Sequence, residues 1–142
     1  MTLLVGSLPE HDRAKLFAAS HAFVQPARAE ATGRHCLEAL ACQTPVIATD
    51  WGPLADFLNE QNSFRVTTNG LAAAQPKEDE LLAGHRWADP NIDHLRRQMR
   101  EVFENPSEAA RRAEQGRHDV ISRFDWSVVL PEWFRNFRRL LA

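Results

Sequence analysis

The chain has 142 residues, 44% of them hydrophobic and 25% charged, with a net charge of -2 at neutral pH, the balance of an ordinary globular domain large enough to bury a core. A mean hydropathy of -0.42 and the lack of an apolar run of about 18 residues exclude a membrane-spanning helix. Residues 1–13 have no basic stretch ahead of an apolar one and do not read as a secretory leader.

Residues 3–5 form a short apolar strand closed by Gly6-Ser7, and so early a strand suggests a domain cut from something longer. Pro9 suits the first turn of a helix, with Glu10 and Asp12 near its positive end. That helix carries Leu16 and Phe17 inward and stops near Ser20. Residues 22–24 follow as a strand ended by Pro26, residues 33–42 as a helix, and residues 45–48 as a buried strand. Trp51-Gly52-Pro53 turns into a short helix holding Phe57 and Leu58, and residues 63–66 make a further strand, at an edge. Strands separated by helices of this length imply right-handed βαβ units. The expected class is therefore α/β, with a Rossmann-like parallel sheet.

Residues 67–88 are polar and read as an irregular surface loop, with a turn at Asn69-Gly70 and one helical turn over residues 79–82. Asp89-Pro90 is an N-cap and N1 pair for a helix whose inward face is Ile92, Leu95, Met99, Val102 and Phe103. Asn105-Pro106-Ser107 ends it and starts another, carrying Ala110, Ala113, Val120, Ile121 and Phe124. A last helix sets Trp126, Val129, Trp133, Phe134, Phe137 and Leu141 on one face, with Pro131 forcing a break or kink. Residues 89–142 are thus a helical tail, and residues 1–142 one domain.

The arginines of this tail alternate with Asp93, Glu101, Glu104, Glu108, Glu114, Asp119 and Glu132, the pattern of a solvated face with i,i+4 pairs rather than a nucleic-acid surface. Cys36 and Cys42, six residues apart on a helix, stand roughly 9 Å apart and read as buried thiols in a reducing cytoplasm, not as a disulfide. The six histidines lack metal-ligand spacing.

Residues 30–50 carry the chemistry. Glu30 lies in the loop after the 22–24 strand, where ligands bind at the carboxyl ends of parallel strands. The helix that follows offers unpaired amides and a positive dipole end near Gly33, suited to a pyrophosphate, and Gly33 lets a ligand approach the backbone. Glu38 is the single polar residue between Cys36 and Cys42. Either it faces solvent, or it is buried and requires hydrogen-bond donors, which the hydroxyls of a ribose would supply.

Glu30, seven residues, Glu38, then Ala-Leu-Ala-Cys-x-x-Pro-Val-Ile-Ala-Thr resembles the E-x7-E motif of retaining glycosyltransferase family 4. Upstream GSLPEHDRAKLFAASHAFVQP, and downstream WADPNIDHLRRQMREVFENP and RFDWSVV, are similar to the family's flanking segments. The resemblance implies the C-terminal half of a GT-B fold, whose two Rossmann-like domains enclose a cleft. By position, it puts Glu30 on the donor sugar and makes it the one candidate catalytic residue. It puts Glu38 on the ribose, the amides of Thr32, Gly33 and Arg34 on the diphosphate, and Leu8 beside the base. The donor is a nucleotide diphosphate sugar, and no metal or cofactor is implied, since helix amides and basic side chains take that part.

The family usually has glycine and an aromatic where Ala31 and Thr32 stand, often proline at His35, and glycine at Gln43. An alanine forced to positive φ at position 31 would cost about 1 kcal/mol. His35 and His21 read as structural. Family members take the acceptor, and a basic pair that neutralises the leaving diphosphate, from a preceding N-terminal domain. The expected partners are therefore the nucleotide sugar and that domain or another chain, with self-association of the chain alone, no turnover by it, and no nucleic acid. The whole enzyme is expected in the cytoplasm, at most peripheral to the inner membrane. The alternative is a non-catalytic fragment or descendant that binds nucleotide sugar or only a protein partner. A flavodoxin-like regulatory module lacks the acidic cluster and phosphate loop it would need.

Overall fold

The structure is a computed structural model that describes residues 6–74 and 83–141. The strand expected over residues 3–5 and the helical turn over 79–82 lie outside the described residues. The first helix, α1 (Glu10–Ala18), has Pro9 as its N-cap rather than inside the first turn. Phe17 is buried, whereas Leu16, expected inward, is exposed.

Strands β1 (Phe23–Gln25), β2 (Val46–Thr49) and β3 (Phe64–Val66) form a parallel sheet in the order β1-β2-β3. Phe23 pairs with Val46, Gln25 with Ala48, Ile47 with Phe64 and Thr49 with Val66. The central strand is buried at every position, as expected of a parallel strand covered on both faces. Its side chains alternate: Val46 and Ala48 join Phe17, Cys36, Leu40, Leu54 and Phe57 on one side. Ile47 joins Phe64, Val66, Val102 and Ala109 on the other. This is the expected Rossmann-like α/β class.

Helix α2 (Arg34–Ala41) lies between β1 and β2, with Gly33 and Cys42 as its caps. It ends in a Schellman turn: Gln43 N donates to Leu40 O at 2.8 Å and Thr44 N to Ala39 O at 2.9 Å. That turn puts Gln43 at φ 58°, in the left-handed region that favours glycine. A 3-10 turn over Gly52–Asp56 follows β2.

Residues 67–88 correct the expectation of an irregular loop. Strands β4 (Thr68–Ala73) and β5 (Arg86–Pro90) pair antiparallel, Leu71 opposite Ala88 and Ala73 opposite Arg86. Asn69-Gly70 is not the turn but lies within β4, where the register shifts between Thr68 and Leu71. Asp89-Pro90 therefore finishes a strand, and the cap of α3 (Ile92–Glu104) is Asn91, whose side chain accepts from His94 N.

Helix α4 (Pro106–Phe124) packs on α2 through Gly116, where a β-carbon would strike Leu40 Cδ2. On α3 only part of the expected face is covered: Val102 is buried, while Ile92, Met99 and Phe103 are exposed. Helix α5 (Trp126–Leu140) is capped by Asp125 and runs through Pro131 as one helix, so the proline does not break it. Among the described residues no helix is long and apolar enough to cross a membrane.

Candidate functional site

The site grows from the carboxyl edge of the sheet. β1 ends at Gln25, and the chain crosses this edge before entering α2 at Arg34. Within that crossing the Glu30 carboxylate folds back on its own loop. Oε1 accepts from Ala31 N at 2.9 Å and Thr32 N at 3.3 Å, and Oε2 accepts from Gln25 Nε2 at 2.6 Å. The Gly33 amide does most to hold the carboxyl below its ordinary value, followed by Thr32; Ala31 and Gln25 add to this against the opposing effect of burial. Of the amides expected to meet a diphosphate, that of Thr32 thus already donates to an anionic oxygen of Glu30, joined there by Ala31, while that of Arg34 does not.

Gly33 sits at φ 74°, and its missing β-carbon faces inward, where Leu54 Cδ2 would lie at 2.5 Å and Phe57 Cζ at 2.8 Å. Its glycine is required by backbone conformation and by packing on the 3-10 turn, rather than by a ligand's approach to that face. Among the described residues Gln43 is the one non-glycine at positive φ, so Ala31 carries no such strain.

Glu38 stands one turn into α2, and its Oε1 has two donors. Arg34 Nε donates to its Oε1 at 2.7 Å and Arg13 Nη2, from α1, at 3.2 Å. Arg13 Nε lies 2.9 Å from Oε2, yet its N–H is not aligned on that oxygen, which is buried without a hydrogen-bond donor. Glu10 closes the ring, 3.8 Å from Arg34 Nη2 and 4.0 Å from Arg13 Nη2. Two arginines and two glutamates balance in charge around a recess of about 170 Å³ lined by Arg13, Phe17 and Glu38. Arg34 therefore spends its charge on Glu38, and Leu8, ahead of α1, is exposed.

The structure brings Glu30 together with the amides of Thr32 and Gly33, and Arg34 together with Glu38. Arg13 and Gln25 escaped the sequence reading. Arg13 had a signal, since it lies four residues before inward-facing Phe17 and so shares its helix face. The β4–β5 hairpin also reaches this loop: Ala88 N donates to Arg28 O at 2.9 Å, and Arg28 pairs with Asp89 at 3.4 Å over the Trp87 ring.

Cys36 and Cys42 are both free, Cys36 buried and Cys42 only half-buried, which corrects the expectation that both thiols are buried. Among the described residues no cluster of His, Cys, Asp and Glu has the makings of a metal site.

The sequence matches the model of the family described as glycosyl transferases group 1 over residues 1–119. Among solved structures the fold is similar to sucrose-phosphate synthase from Thermosynechococcus elongatus, with a TM-score of 0.73 and 24% sequence identity. The match covers 96% of this chain and 29% of that one, so the chain spans less than a third of the length of the structure it resembles. No curated protein matches the sequence. With the family model covering most of its length, the chain belongs to the group 1 glycosyl transferases.

Proposed function

We propose that the chain is the donor-binding part of a glycosyltransferase that takes a sugar from a nucleotide diphosphate sugar and transfers it with retention. One observation carries the reading: the amides of Ala31 and Thr32, at the start of the crossing into α2, converge on an anionic oxygen at the carboxyl edge of a parallel sheet. A diphosphate takes these amides in place of Glu30, and Glu30 turns to the sugar hydroxyls. Glu38, whose buried Oε2 lacks an aligned donor, takes the ribose, and Leu8 stands beside the base. The backbone amide of Arg34, at the first helical position, faces the phosphates. The acceptor comes from an N-terminal domain or another chain, in keeping with the 29% coverage of the similar structure. The free thiols suit the cytoplasm.

Thermal melting with UDP, GDP and ADP sugars tests this, because a ligand that binds only the folded chain raises its Tm. At least one should do so, and Glu38→Gln should abolish the shift; an undiminished shift in the variant refutes the ribose assignment. A second reading, a non-catalytic chain that serves a protein partner, is favoured by α5, which buries none of its described residues. A partner bound through α5 with no response to any nucleotide sugar would decide for it.

A further inference from the structure

One of the groups that hold Glu30 belongs to no motif. Oε1 takes loop amides, but Oε2 takes a single side-chain donor, Gln25 Nε2 at 2.6 Å. Gln25 is the last residue of β1 and is half-buried there. Its own Oε1 accepts from the Cys36 thiol on α2 at 3.2 Å. Cys36 is buried. Burial first, and the Glu30 charge second, push the thiol up to about 12, so it keeps its proton and stays a donor. An amide whose oxygen meets a thiol and whose nitrogen meets a carboxylate has one workable orientation, because the carboxylate only accepts.

We propose that Gln25 is a positioning residue for Glu30, anchoring Oε2 while Oε1 exchanges its loop amides for the donor sugar, with Cys36 setting the orientation of the Gln25 amide. This rests on the functional reading above. Once a diphosphate takes the loop amides, those of Ala31 and Thr32 included, Oε1 loses its present partners and Gln25 is the contact that remains. A charge-assisted hydrogen bond from a fixed donor keeps the carboxylate aimed. Without it, Glu30 is free to swing, or to stay on the amides and compete with the phosphate.

The test compares the full chain with Gln25→Met and Gln25→Glu. Isothermal titration with UDP and UDP-glucose, and with GDP and GDP-mannose, reads the sugar advantage, the ratio of the two dissociation constants within a pair. Gln25→Met should lower it about tenfold, the loss of one hydrogen bond to a charged group. Gln25→Glu sets two carboxyls at hydrogen-bond distance, where they share a proton. While that proton is held, the new side chain donates to Glu30 as Gln25 does. The sugar advantage should then match wild type at low pH and fall as pH rises through the shared titration, against a flat wild-type profile.

Cys36 on α2 contacts this pair; Arg34, His35 and Glu38 lie on the same helix, and Arg28, paired with Asp89 of β5, on the same loop. All are common to the three proteins, so a difference between profiles belongs to position 25. Carbon-13 carboxyl NMR of ligand-free Gln25→Glu should show one carboxyl titrating well above the ordinary carboxylate range. Two ordinary titrations would overturn the anchor without any ligand. An undiminished sugar advantage in Gln25→Met, or a flat Gln25→Glu profile, would overturn the positioning role. A wild-type chain that binds neither nucleotide sugar sinks the functional reading, and the carboxyl titration then decides the anchor by itself.

Discussion

Arg13 on α1 and Glu38 on α2 meet across the seam between the two helices, Nη2 at 3.2 Å from Oε1 and Nε at 2.9 Å from Oε2. Both side chains are about a quarter exposed, 24% and 23%, so the pair is only partly screened by solvent. Arg13→Met leaves Glu38 with Arg34 alone and should cost roughly 1–2 kcal/mol in urea unfolding, within the range for hydrogen bonds to charged groups. Glu38→Gln keeps the side chain's shape and should cost less, which makes it the cleaner probe of donor binding. A double-mutant cycle without coupling between the two positions would show that the seam does not depend on this pair.

Position 43 offers a gain. Gln43 is held at φ 58° by the Schellman turn that ends α2, where a β-carbon costs roughly 1–2 kcal/mol. Glycine removes that cost but adds freedom to the unfolded chain, worth about 0.4–1 kcal/mol. Gln43→Gly should therefore stabilise by about 0.5–1 kcal/mol, seen as a higher urea midpoint at unchanged slope. Destabilisation by the same amount would contradict the assigned backbone.

Gly33 should tolerate no side chain. Alanine there combines a positive φ with a β-carbon 2.5 Å from Leu54 Cδ2 and 2.8 Å from Phe57 Cζ, contacts that force the 3-10 turn to move. Gly33→Ala should cost about 2–4 kcal/mol and lower the Tm accordingly. A near-neutral result would mean that the turn over Gly52–Asp56 yields freely.

Acid should act on Glu30 and Glu108 at different points. Glu108 is held at about 2 by hydrogen bonds from Arg111 and Arg112. Glu30 is held below its ordinary 4.5, chiefly by the Gly33 and Thr32 amides. For a carboxyl depressed in the folded state, the stabilisation is present above the unfolded value and is lost as pH falls through the folded one. Both contributions should therefore be complete at neutral pH and decline below about pH 4.5, that of Glu30 vanishing once pH has fallen through its folded value and that of Glu108 only near pH 2. Carboxyl NMR titration reads both midpoints directly; a Glu108 midpoint in the ordinary range would contradict its arginine contacts.

Helix α5 leaves Trp126 72%, Trp133 55% and Phe134 52% exposed, and apolar surface of that extent marks an interface. We expect the chain alone to self-associate with rising concentration in light scattering, and Trp133→Arg to weaken that association. A monomer at every concentration would remove this expectation. We also expect no sugar transfer by the chain alone in a radiolabelled assay, and turnover at an ordinary enzymatic rate would contradict that.

Much of the candidate site was legible in the residues themselves. The apolar run Val46-Ile47-Ala48 reads as a buried strand, and it lies in the sheet beside Phe23–Gln25, one residue on from the 22–24 strand expected there. The spacing of Glu30 and Glu38 around a helix start places one in the loop and the other a turn along the helix, because local geometry sets both. What covers a face, and what pairs with a charge, is not local. Beside their local partners, Glu38 takes Arg13, 25 residues away on α1, and Glu30 takes Gln25 at the end of β1. The hairpin escaped notice because β4 is half-exposed and polar, and its pairing joins Leu71 to Ala88 across a long separation. Periodicity fixes which way a helix face points, but only packing decided that Phe17 is buried while Leu16, Met99 and Phe103 are left at the surface.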